Sequence, residues 1–195
     1  MTAKTITADR QRLMRLRLGL IALTLSLLVV AFAAPAHARD SACVWNHLPQ
    51  ETRDKVVALV ATDDLKGGMT ALTEDRQALG TAGVACGATE QNAVTVGKGL
   101  AAYALRVGIG KTLQDRYGAQ PERLHALYGA LPQADRQRFE ADVAAKENTD
   151  AEHAFDMDVG RRIAVAAGIT DPEAHYRVTM FLMTDVAVAQ ADAAY

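Results

Sequence analysis

The sequence is poor in the residues that usually announce chemistry. Among its 195 residues are two cysteines, one tryptophan and five prolines, and beyond residue 38 the only serine is Ser41. Two cysteines cannot build a four-thiolate zinc site, and the Cys-x-x-Cys spacing of a redox pair is absent. A lone serine leaves little basis for a serine hydrolase, because the nucleophile needs a base and an orienting group beside it. An excess of positive charge is missing too: 21 basic against 23 acidic side chains leave a net of -2. That balance argues against a nucleic-acid binder. With one long apolar run and 50% apolar residues, the chain is neither polytopic in a membrane nor disordered.

The apolar run has an ordered setting. Lys4, Arg10, Arg12, Arg15 and Arg17 precede 17 uncharged residues, Leu18 through Ala34, and Ala36-His37-Ala38 comes after them. Basic, apolar and small-residue regions in that order read as a secretory signal over residues 1–38, cleaved between Ala38 and Arg39. Residues 39–195 are then a single domain, periplasmic or secreted. Five basic side chains and one acidic one leave with the signal, so 16 basic and 22 acidic remain, a net of -6. Nucleic acid is not an expected partner of such a surface, and membrane contact is expected only through the signal segment if it stays uncleaved as an anchor. Cys43 and Cys86, an even pair in an oxidising compartment, are expected to form one structural disulfide. The loop of about 43 residues that it closes is worth on the order of 4 kcal/mol in the chain-entropy model.

Alanine-rich segments of period 3.6, without Asn-Gly or Asp-Gly hairpin signals, predict an all-α bundle of six to seven helices. A first helix opens at Leu48-Pro49-Gln50-Glu51, and Gly67-Gly68 interrupts or ends the segment after it. A second runs from Met69 to Leu79. The longest covers Thr89 to Tyr117 and carries two stripes: large residues at Val96, Leu100, Tyr103 and Val107, and small ones at Gly97, Ala101, Ala104 and Gly108. Apolar on two faces, it reads as a central helix whose small face lets a neighbour approach closely. Further helices start at Pro121, at Pro132, at a Thr149/Glu152 capping box and at Asp171-Pro172, with Gly118 and Gly168 as stops. Residues 48–61 and 131–144 share seven identities in fourteen positions without a gap, which raises the possibility of two related three-helix halves.

Few residue groups suggest a site. Gly108-Ile109-Gly110-Lys111-Thr112 ends like a phosphate loop, but Leu105 stands where that loop needs its first glycine, and the segment lies within a helix. The densest polar group is Asp150, Glu152, His153, Asp156 and Asp158. Helical spacing lets Glu152, His153 and Asp156 converge on a hard or borderline cation, although a solvated acidic face paired with Arg161 and Arg162 explains the same pattern. His47, His125 and His175 are isolated in sequence. Met180 and Met183 have the spacing of core fillers. Trp45 is expected to pack beside the disulfide or to anchor a partner. The sequence therefore suggests a non-enzymatic module that binds a protein or small molecule and needs no cofactor. A periplasmic enzyme or metal-binding protein built on the Glu152–Asp158 cluster is the alternative, with catalytic residues unassigned.

Overall fold

Helix starts obey the caps that the chain offers. The computed structural model describes residues 40–148 and 157–195; among them are nine helices and no strand. These are α1 (Ser41–His47), α2 (Gln50–Ala61), α3 (Leu65–Glu74), α4 (Arg76–Ala85), α5 (Ala93–Tyr117), α6 (Pro121–Gly129), α7 (Gln133–Asn148), α8 (Asp158–Ala166) and α9 (Pro172–Ala193). Asp40, Asp64, Asp75 and Asp171 each accept a hydrogen bond from a first-turn N–H, which has no acceptor within the helix. Pro121 and Pro172 occupy first-turn positions, where a missing N–H costs nothing.

The all-α class is as expected, with more helices than the sequence suggested. Asp75 divides the Met69–Leu79 segment into the end of α3 and the start of α4, because its side chain caps Ala78. Helix α1 has no clear signal in the sequence pattern; only seven residues long, it is fixed by Asp40 and by Ser41. Gly67-Gly68 does not break a helix but lies in the first turns of α3. There Asp64 accepts from the Gly67 N–H at 2.8 Å, and a Cβ on Gly68 would stand 2.8 Å from Val60 Cγ2. Gly68 serves close packing between α2 and α3, and Gly67 leaves room for the capping Asp64 carboxylate; neither ends a helix. The expected capping box at Thr149 and Glu152 lies outside the described residues.

Helices α5 and α9 are the centre of the packing. They run antiparallel, with Gly99 beside Ala191, Arg106 paired to Asp185 at 3.0 Å, and Gly110 beside Phe181. Ser41 seats α1 against this pair: its N–H and hydroxyl both donate to Asp192, at 2.8 and 2.6 Å. On another side Gly108 admits α2, since a Cβ there would lie 2.5 Å from Val60 Cβ. Gly160 does the same for α8 against α9 at Thr179. The small stripe of α5 is thus divided. Ala104 and Gly108 are buried, whereas Gly97 is exposed and a Cβ on it would meet nothing within 4 Å. The expectation that all four small residues face a packed helix is corrected at Gly97.

The two similar segments occupy similar settings. Helices α2 and α7 begin at Gln50 and Gln133, the aligned positions, and bury Val56 and Val60 in one, Phe139 and Val143 in the other. Arg53 and Arg136, also aligned, each bury a guanidinium Nε. Farther along, Gly87 and Gly168 hold positive φ just past α4 and α8, and the next residue's N–H reaches back to Gly83 and Ala164 respectively. That is the helix-ending geometry glycine adopts without strain.

Among the described residues the ion pair of greatest sequence separation joins α9 to the α2–α3 turn. Arg177 of α9, buried, donates through two nitrogens to the carboxylate of Asp63 in the α2–α3 turn and through one to Glu173. Asp63 holds φ of 67°, which Asp and Asn tolerate better than most residues. The Arg177 hydrogen bonds hold its carboxyl below the ordinary range despite some opposing desolvation, with the charges of Arg177 and Arg116 adding to the effect. A depressed carboxyl pKa stabilises the fold above the unfolded-state pKa of about 3.9, and that contribution fades as pH falls through the lower folded value. Asp63→Asn keeps the backbone preference and removes the charge. It should cost on the order of 1 kcal/mol at neutral pH, an exposed carboxylate being partly screened, and less at pH 2. Urea unfolding at the two pH values measures the difference.

Gly160→Ala should destabilise by roughly 1–3 kcal/mol, because the new methyl would stand 2.8 Å from the Thr179 Cα, and backbone cannot give way. Gly97→Ala, in open space within a helix, should instead stabilise by about 0.5–1 kcal/mol. Thermal melts of the two variants should move in opposite directions.

Candidate functional site

Helix α4 stands apart from the central pair. It packs chiefly on α1, with lighter contact to α3. Its C-terminal end is fastened to α1 by the Cys43–Cys86 disulfide, with Cα atoms 5.9 Å apart, and among the described residues no free cysteine remains. The C-terminal Tyr195 adds a hydrogen bond from its hydroxyl to the Cys86 carbonyl, at 3.0 Å.

Between α4 and the first half of α5 this arrangement leaves a groove of about 890 Å³. Val44, Leu72, Val96 and Leu100 are its buried floor, and Met69, Leu79, Gly80, Gly83, Ala93, Gly97 and Ala101 are its walls. Thr73, Arg76, Val84, Thr89 and Glu90 stand exposed at the rim, Val84 with 73% of its surface open. Gly80 and Gly97 line the groove without filling it, since a Cβ on either meets nothing within 4 Å. The volume falls in the range of small-ligand pockets, and the lining is overwhelmingly apolar. A shallower hollow of about 350 Å³ lies between α5 and α9 beside Met180, Met183 and Val143, and Ala101 borders both.

Other candidates from the sequence are distributed over the fold. Ala38, Arg39, Glu152, His153 and Asp156, with Asp150, lie outside the described residues. Asp158 opens α8 and pairs with Arg161 and Arg162, the compensation expected for it. The Gly108–Thr112 segment is helical: Thr112 donates its hydroxyl to the Gly108 carbonyl, and Lys111 pairs with Asp115 at 2.7 Å. Trp45 is buried with its ring 6.1 Å from that of Tyr103, which excludes it as a surface anchor. Met180 and Met183 are half-buried against the core. The His175 ring is 3.0 Å from the Ile169 carbonyl.

Two histidines find partners that sequence reasoning missed. His125 of α6 lies 2.6 Å from Asp185, whose other oxygen accepts from Arg106. Such a pair is half of a nucleophile-activating relay, but Ser41 is committed to Asp192 and both cysteines to the disulfide. His47 Nδ1 lies 3.4 Å from Cys86 Sγ and 3.8 Å from Cys43 Sγ. Its only sequence signal is the spacing of four from Cys43, which places the two on one face of α1. Among the described residues the groups with displaced pKa values are Asp63, Arg177 and Tyr128; the Tyr128 hydroxyl is pushed up by burial and by Glu140. None of the three lines the groove.

Because the disulfide is the main tie of α4, replacing both cysteines by alanine should lower the unfolding free energy by about 2–4 kcal/mol while the α5–α9 centre keeps its helicity. Chemical denaturation monitored by circular dichroism checks both parts. Compared with known proteins, the chain matches no family model, no curated protein and no solved structure.

Proposed function

We propose that this chain is an exported, non-enzymatic helical module that binds an apolar small molecule, an acyl chain with an anionic head, in the groove between α4 and α5. The observation that carries this reading is an 890 Å³ groove with an apolar floor and walls and polar groups only at its rim. Shedding water from that lining drives binding of hydrocarbon. Arg76 at the mouth offers a carboxylate or phosphate head a charged donor, whereas the Thr73 hydroxyl already donates to the Met69 and Thr70 carbonyls and the Thr89 hydroxyl to Asn92 Oδ1. Export is supported by the basic, apolar and small-residue order of residues 1–38 and by a disulfide, which persists in oxidising compartments. Among the described residues no helix is long and apolar enough to cross a membrane.

Titration with a long-chain fluorescent fatty acid tests the reading. Saturable, single-site binding is expected. Gly97→Leu, which places a side chain in open groove space, should weaken it roughly tenfold or more, about 1.4 kcal/mol, without lowering the melting temperature. Arg76→Ala should weaken binding of the acid but not of the alcohol of equal chain length. No saturable binding, or indifference to Gly97→Leu, would remove the groove from consideration.

A further inference from the structure

The histidine beside the disulfide gives that cross-link a second chemistry. Ligand atoms of Cys43, His47 and Cys86 all lie within 4.8 Å of one another, on α1 and at the end of α4. Tetrahedral zinc with Zn–S of about 2.3 Å and Zn–N of about 2.0–2.1 Å requires N···S separations of about 3.5 Å. The observed 3.4 and 3.8 Å lie on either side of that value. In the oxidised chain the imidazole is turned toward the sulfurs by an Nδ1–H donated to the Cys43 carbonyl, 2.9 Å away and one helical turn back; coordination through Nδ1 moves that proton to Nε2 and exchanges the hydrogen bond for the metal. Once the sulfurs are no longer bonded, they need only part to about 3.8 Å for both to reach one ion. Cys86 is buried, Cys43 half-buried and His47 exposed, so a fourth position opens toward solvent.

We propose that reduction of Cys43–Cys86 creates a three-ligand site, two thiolates and the His47 imidazole, for zinc or a similarly thiophilic divalent cation. Disulfide and metal are then alternative clasps between α1 and α4. The chemistry balances with a dithiol as reductant: it gives up two electrons and two protons and becomes a disulfide, while Cys43 and Cys86 become thiols. The incoming divalent cation displaces both thiol protons to solvent, and neutral His47 coordinates through Nδ1 with its proton on Nε2. The reverse step is exchange with a small disulfide, which takes up two electrons and two protons from solvent and becomes a dithiol, while Cys43–Cys86 re-forms and the ion leaves. The proposal does not rest on the groove binding any ligand, although both involve α4.

Cobalt(II) is the spectroscopic probe and zinc the competitor. The reduced full chain, under anaerobic conditions, should show thiolate-to-cobalt charge transfer and tetrahedral visible bands saturating at one equivalent, lost on adding zinc. The oxidised chain and Cys43→Ser/Cys86→Ser should show neither. His47→Ala should bind cobalt roughly tenfold or more weakly after reduction, distinguishing a built site from two loose thiols. Circular dichroism accompanies each titration. Should reduction itself lower helicity, zinc must restore it in the wild type and fail to do so in His47→Ala. The proposal is overturned if the reduced wild type binds cobalt no better than the double serine variant, if His47→Ala matches wild type, or if lost helicity is not restored by zinc.

Discussion

The close antiparallel contact of α5 with α9 is the constraint on which the remaining geometry depends. Gly99 lies against Ala191 and Gly110 against Phe181, so two backbones approach where larger side chains would hold them apart. That approach sets Asp185 under Arg106 and brings Asp192 to the start of α1, where it takes two hydrogen bonds from Ser41. It also places Arg177 where it can hold the α2–α3 turn through Asp63. Glycine recurs at the contacts with α2 and α8, at Gly108 and Gly160. A close-packed interior of this kind transmits added volume as strain rather than absorbing it.

Helix α4 obeys a different constraint. It contributes little to the central packing, and a covalent bond at one end does what side-chain burial does elsewhere. The space it leaves open against α5 is the groove. Fastening one end of a wall limits how far the groove can open, so the disulfide has a role in shaping the pocket as well as in restricting the unfolded chain.

Local signals in the sequence are informative wherever a single residue decides a helix end. Asp171-Pro172, Pro121 and the helix-stopping Gly168 act through their own backbone and side-chain chemistry, and the structure places helix ends beside each. The paired Leu-Pro-Gln segments likewise mark equivalent helix starts with equivalent buried positions. Gly67-Gly68 misleads because glycine has two uses, breaking a helix and admitting a neighbour, and only the presence of Val60 decides between them. The groove is not legible for the same reason: whether Gly97 faces a helix or open space depends on where α4 is anchored. His47 meets Cys86 across a separation of 39 residues, a proximity that no local spacing encodes.

The groove and the disulfide are linked through α4, and thermodynamics makes any such linkage reciprocal. A molecule held between α4 and α5 binds better when α4 is already in place, because less freedom is lost on binding. By the same cycle, the bound molecule favours whichever clasp holds α4 in that position and opposes the open, reduced and metal-free state. The strength of this coupling is bounded by what the clasp itself contributes to ordering α4, at most a few kcal/mol in the chain-entropy model. Under the two proposals, oxidation state, metal occupancy and groove occupancy would all bear on the position of one ten-residue helix.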